Sequence, residues 1–321
     1  MLDEMKDTHF PRINAAYNRV FRPGRLSVGL VLPLEAYAVG ADPTLHGHIE
    51  AAQTAEQLGF AALWLRDVPF NVPSFGDAGQ IFDPFVYLGA LAAVTDRIAL
   101  GTASVILPLR HPAHVAKAAA SADVLSEGRL LLGVASGDRP EEYPAMHQTF
   151  EDRGARFRDS VDYIRAVGTA YPEHVSAQGN LSGGIDLLPK PHGARLPLLI
   201  TGGSQQTPEW LAQNGDGWIT YPRNAAAQGK VIADYRARIK ASGQADKPVM
   251  QSLYVDLVSD PKAPPRPIHL GFQAGADFLR SYLREIETLG VNHVALNLRF
   301  NTAPIETTLN HLADVVLPDF S

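Results

Sequence analysis

Residues 198–211 read LLITGGSQQTPEWL, an apolar run that breaks into two glycines, a serine, a threonine and a proline. Gly202 and Gly203 let the backbone come close to a ligand, and the hydroxyls of Ser204 and Thr207 can stand beside the free N–H groups of a helix start. Pro208 suits the first helical position, which makes Thr207 its N-cap. Exposed amides at such a start attract anions, and a phosphate monoester is the expected guest. The alternative is that Thr207 only caps its own helix while the glycines only make a tight turn. Side chains that run chemistry unaided are scarce elsewhere. The absence of cysteine removes disulfides, thiolate catalysis and cysteine-ligated metal together. The eleven histidines show no metal spacing: His46 and His48 are two apart, and His111 and His114 flank a proline. GxSxG, HExxH and Walker patterns are absent. Asp138, Glu141 and Glu142 could act as hydrolytic carboxylates, yet they crowd into one turn, whereas a working pair must flank the scissile bond.

The elements that must carry this turn follow from apolar runs bounded by Gly, Pro, Asp and Asn. The runs at 26–34, 60–66, 97–107, 129–135, 196–201, 217–221, 248–258 and 291–299 predict eight strands. Segments of helical spacing lie near 44–58, 83–94, 112–126, 154–170, 207–214, 224–241, 276–289 and 304–317, so a helix follows each strand. Near-continuous Val, Ile and Leu implies strands covered on both faces, as in a parallel sheet. Eight such units predict an α/β fold, a (β/α)8 TIM barrel, with a Rossmann-type sheet as the alternative. Long connections are expected after strand 2 (67–82), after strand 7 (259–275) and before strand 5 (171–195). The first two then sit on the catalytic face, while the last lies on the opposite rim unless it folds back as a hairpin.

Composition suits a soluble enzyme, with 45% hydrophobic and 19% charged residues in 321. A net charge of −6 favours neither nucleic acid nor an anionic membrane. The first residues mix acidic, basic and aromatic types without a leader-like apolar stretch, and no run suits a membrane span. The cytoplasm is the expected compartment.

The stretch LGTASVILPLRHPAHVAKAAASADVLSEGRLLLGVASG (100–137) resembles the luciferase-like monooxygenase family, the flavin- and deazaflavin-dependent barrels related to bacterial luciferase. The likeness continues through GDRPEEYPAM, RGARFRDS and ITGGSQQTPEW, covering about residues 26–300. It implies one barrel domain over 1–321, with residues 1–25 as an N-terminal extension. It also implies a non-prolyl cis peptide between Ala103 and Ser104, where small residues (Thr102, Ala103, Ser104) let a flat FMN ring press on the backbone. The FMN phosphate is then expected at Gly202, Gly203, Ser204 and Thr207. Bacterial luciferase adds an arginine at the end of strand four, where this chain has Ser136; Arg139 could supply the cation or pair with a neighbouring carboxylate.

A further departure is that the two luciferase histidines after strand two are replaced by Val68 and Pro69. Asp67 is the nearest ionisable group there, to orient substrate or exchange a proton, or else to lie buried against Arg66 or a loop amide. His111, with Arg110 beside it, is expected near the ring. The family reaction uses reduced FMN and O2 on a small organic substrate, with electrons from a separate NAD(P)H-flavin reductase. The loop 67–82, with Phe70, Phe75 and Phe82, is expected to form an apolar lid, or to pack the rim or a dimer contact. A homodimer or tetramer is implied. The alternatives are a deazaflavin-dependent hydride transfer and a flavin-binding protein without turnover.

Overall fold

In the computed structural model, residues 9–37, 41–75 and 81–320 are described. Eight parallel strands close on themselves: β1 (Ser27–Val31), β2 (Ala62–Leu65), β3 (Ala99–Thr102), β4 (Leu130–Ala135), β5 (Leu198–Thr201), β6 (Gly217–Thr220), β7 (Val249–Leu257) and β8 (His293–Asn297). Closure is made by β1 against β8, with Ser27 opposite His293 and Leu30 opposite Leu296. On its other edge β1 pairs with β2, Leu30 opposite Leu63. A helix follows every strand: α1 (His48–Gln57), α2 (Pro84–Val94), α3 (Pro112–Leu125), α4 (Arg153–Ala166), α5 (Pro208–Asn214), α6 (Ala225–Ala241), α7 (Ala276–Thr288) and α8 (Ile305–Val315). The fold is the expected TIM barrel. Among the described residues no helix is long and apolar enough to cross a membrane.

The apolar runs divide between two cores, because alternate side chains of each strand point to opposite faces. Leu63, Leu100, Leu132, Ile200 and Leu296 face the helices, while Val31, Trp64, Leu131, Leu199, Ile219 and Met250 fill the barrel. The inner core is completed from below by Phe10, Ile13, Tyr17 and Phe21, around a short helix at Ala15–Val20. Asn14 caps that helix through the Tyr17 amide and donates to Asp123 (3.0 Å) and to the Leu130 carbonyl (2.8 Å). The N-terminal residues are thus the floor of the barrel.

Glycines make the filling possible. A Cβ on Gly101 would lie 2.4 Å from the Trp64 ring, and one on Gly133 would lie 1.9 Å from the Thr102 carbonyl oxygen and 2.8 Å from Ile219. Backbone cannot yield as a flexible side chain can. Gly133→Ala is therefore expected to cost about 3 kcal/mol, the upper end for overpacking. A urea midpoint equal to wild type would show that β3 and β4 can part freely here.

Arg129, at the base of β4, is buried and fully used. It donates to Ser126 O, Ile98 O, Ala92 O, Thr95 O and Thr95 Oγ1, and so closes the last turn of α2. The third predicted strand is interrupted: β3 stops at Thr102, the Ala103–Ser104 peptide is cis, and Val105–Ile106 resumes beside β4. The connection before β5 does fold back as a hairpin, Glu173–Ser176 with Gly179–Ser182. The connection after β7 forms another, Arg266–Ile268 with Gly271–Ala274, whose later strand lies parallel to β7.

Candidate functional site

A cleft of about 260 Å³ opens at the C-terminal ends of β2 to β6. Its walls are Arg66 to Val68 after β2, Ala103, Ser104 and Ile106 after β3, and Ala135 to Arg139 from β4. Thr201 to Gln205 after β5 and Tyr221 after β6 complete it. The cis bond brings Ser104 to Thr201, and their hydroxyls are hydrogen-bonded.

The β5 turn differs from an ordinary helix lead-in. Gly202, Ser204 and Gln205 have φ of +56°, +42° and +60°, three left-handed residues within one tight turn. Gly202 N–H donates to Ile219 O (2.8 Å), and Gln206 N–H to Gly203 O (2.8 Å). Between them, the amides of Gly203, Ser204 and Gln205 have no acceptor among the described residues. The Ser204 hydroxyl donates to Thr201 O (2.8 Å), so it shapes the turn. Thr207 is exposed and accepts from Trp210 N–H (3.2 Å); it caps α5 and stands outside the cleft wall. For Thr207 the capping alternative is what the structure shows.

Arg139 lines the cleft, 4% exposed, with its guanidinium 4.6 Å from the Phe75 ring centre. Its Nη1 is ion-paired with Glu142 Oε1 at 3.7 Å, beyond hydrogen-bond range, and makes no hydrogen bond. The Glu142 carboxyl is buried beside it, and burial pushes it above its ordinary range despite Arg139 and the Phe70 amide. A buried donor of this kind costs stability unless something completes it. Ser136, where bacterial luciferase has its arginine, lines the cleft, and its carbonyl accepts from the Tyr143 hydroxyl.

Asp67 lies in the cleft wall with its carboxylate committed elsewhere. Arg110 holds it from two sides, Nε to Oδ2 at 3.0 Å and Nη2 to Oδ1 at 2.8 Å, and the Ile106 amide donates at 3.1 Å. The expected partner Arg66 is thus replaced by Arg110, which also reaches Asp83 (2.8 Å). That link is hidden in the sequence because Asp67 and Arg110 are 43 positions apart. His111 does not join the cleft: its Nδ1 accepts from Ala113 N–H at the start of α3, and its Nε2 meets Gln178 O of the hairpin. Reading 97–107 as one strand carries the LRHP sequence too close to the site; the strand ends early, and Leu107–Leu109 turns as a 3-10 helix. Thr102 is fully buried and donates to Gly133 O (2.7 Å), bracing β3 on β4 below the cleft. Of the three lid aromatics, only Phe75 lines the cleft. Phe82 packs on His48 and Tyr87 at the rim, Phe70 is half exposed, and residues 76–80 lie outside the described residues.

The sequence matches the family described as luciferase-like monooxygenase over residues 26–264. An uncharacterized protein of Mycobacterium tuberculosis is 32% identical over 228 residues, 65% of this chain and 79% of that protein. The F420-dependent hydroxymycolic acid dehydrogenase of the same species is 29% identical over 228 residues, 69% of this chain and 60% of that protein. Among solved structures, the monooxygenase RslO1 from Streptomyces bottropensis shares the fold at a TM-score of 0.77 and 20% identity, covering 92% of this chain and 100% of that one. A type II Baeyer-Villiger monooxygenase of Pseudomonas putida, solved with FMN, does so at 0.74 and 16%, covering 92% and 99%. The family match spans most of a barrel whose strand-three break and strand-five turn fall where the family likeness places them, and this chain therefore belongs to the luciferase-like monooxygenases.

Proposed function

We propose that the cleft holds a phosphorylated flavin-type cofactor and that the protein is an oxidoreductase passing electrons between that cofactor and a small organic substrate. One observation carries this reading: three consecutive amides at Gly203–Gln205 and the Arg139 Nη1 have no hydrogen-bond acceptor within the described chain and share one cleft. A dianionic phosphate would satisfy all of them. Ala103 and Ser104 offer a small-residue wall for a ring, with Thr102 bracing the strand below them. Redox chemistry is supplied by the bound cofactor, while the protein binds, orients and shields it.

Each wall has its own part. Arg139 and the β5 turn anchor the anionic end, and the Ser104–Thr201 hydroxyl pair fixes the ring wall. Asp67 acts through Arg110 and the Ile106 amide, holding the strand-three segment in place, and is a positioning residue. Phe75 covers Arg139 and keeps water from that end.

In the first reading the cofactor is FMN, used reduced with O2 in a monooxygenase fed by a separate NAD(P)H-flavin reductase. An alternative reading is favoured by the F420-dependent relative. In it the cofactor is the deazaflavin F420, and hydride transfer replaces oxygen activation. Both present a tricyclic ring and a phosphate to the same groups.

Titration with FMN and with F420, followed by cofactor fluorescence, tests both. Saturable binding is expected for one, weakened about tenfold in Arg139→Gln through the lost charge-assisted contact. Ser204→Ala is expected to change affinity little, because its hydroxyl is already given to Thr201 O. Failure of both cofactors to bind would remove the proposal. Substrate consumption by the reduced, loaded protein with and without O2 then separates the two reactions.

A further inference from the structure

The opposite end of the barrel carries another cavity, of about 290 Å³, at the N-terminal ends of β1, β2 and β3. Its inner wall is apolar: Val20, Leu26, Val28, Phe60, Ile98 and Phe320. Four arginines ring it (Arg19, Arg22, Arg25 and Arg97) in a protein whose net charge is −6. The one carboxylate in the wall, Glu56, is already used: its Oε1 accepts from the amides of Asp96 (2.9 Å), Arg97 (2.6 Å) and Ile98 (2.8 Å). Glu56 thereby fills the backbone amide nest of this rim and falls below the ordinary carboxylate range. The side chains of Arg22, Arg25 and Arg97 make no hydrogen bond or ion pair among the described residues. Arg19 stands beside them on the exposed side, donating to the Arg97 carbonyl, and its pKa lies below the usual arginine value through partial desolvation.

Like charges gathered over an apolar hollow repel one another, and an anion with an apolar body relieves both costs at once. With the amide nest taken, the head group must be met by guanidinium forks, which match a planar carboxylate in bidentate geometry. The volume is that of a small ligand, at the lower end for binding pockets. We propose that this floor cavity is a binding site for a small amphipathic carboxylate, its acid group held by Arg22 and Arg97 and its apolar body against Val28, Phe60 and Phe320. The site is remote from the cofactor cleft and does not depend on what that cleft binds.

Isothermal titration of the full chain with sodium decanoate tests this. Saturable binding of one decanoate per chain is expected, weakening as salt is raised, with no saturation by decanol. The double variant Arg22→Gln/Arg97→Gln is expected to weaken it about tenfold or more. The single Arg22→Gln, on an exposed side chain, provides the same direction should the double variant fold poorly. Three outcomes would overturn the proposal: no saturation in wild type, undiminished binding in the variants, or displacement of decanoate by cofactor bound in the cleft.

Discussion

Between pH 6.5 and about 3 the protein is expected to lose about 1.4 kcal/mol of stability per pH unit from a single side chain, His293. The ring is fully buried at the start of β8, and burial pulls its pKa from 6.5 down to about 3. Its neighbours fix the neutral form. The Trp64 indole donates to Nε2 (2.8 Å), so the ring proton sits on Nδ1 and faces the Ser27 hydroxyl (2.7 Å), which in turn donates to Val20 O (2.8 Å). A further proton would have to enter against the Trp64 N–H. Below pH 6.5 the unfolded chain binds that proton and the native chain does not, so stability rises with pH across the window and falls as acid is added. The whole effect is about 5 kcal/mol, a large share of a typical folding free energy. Urea unfolding at successive pH values measures it, with His293→Gln as the reference, since an amide can keep both hydrogen bonds without titrating. If wild type and variant lost stability in parallel, the ring would not be held neutral.

Asp67→Ala is expected to cost about 3 kcal/mol, because it strands a guanidinium in a largely buried wall. The Asp67 side chain is 1% exposed, and Arg110 would keep only Asp83, which is far more open to solvent. The Ile106 amide would lose its acceptor as well. Since Ile106 and Ser104 line the cleft, cofactor affinity should fall with stability, and Asp67→Asn should recover part of both. Thermal melts and cofactor titrations of the two variants read this directly. A variant as stable as wild type that bound cofactor normally yet lost turnover would instead place Asp67 in the chemistry itself.

The barrel is legible in the sequence because its strands are buried on both faces, which leaves an uninterrupted apolar signature in every one of them. Connections leave no such trace. The hairpin at 173–182 has alternating exposure and weak patterning, and the helix at Ala15–Val20 is too short to show a face. The glycine turn at 202–203 is legible as a tight turn into a helix, but that helix has only 7 residues, and the open amides belong to the turn before it. Thr207 is the cap of that helix and lies outside the cleft wall. His111 and Asp67 show the limit on side chains. His111 has the residue type of an available base and is used as a cap, while Asp67 has that of a catalytic acid and is held by an arginine. The cap is local, since Ala113 is two residues from His111, but Gln178 and the Arg110 that holds Asp67 are distant in sequence, so no local pattern announces those two contacts.

Among the described residues the cleft draws its wall from the ends of β2 to β6, and none of it from β7, β8 or β1. For protein engineering this divides the mouth of the barrel into two sectors. The β7–β8–β1 sector has its own ties, Asp256 accepting from Gln273 and Thr302, so its loops are braced independently of the cleft. Libraries confined to those loops can reshape the mouth of the barrel while leaving the described walls of the cleft intact, which makes this chain a scaffold whose two halves can be redesigned in turn.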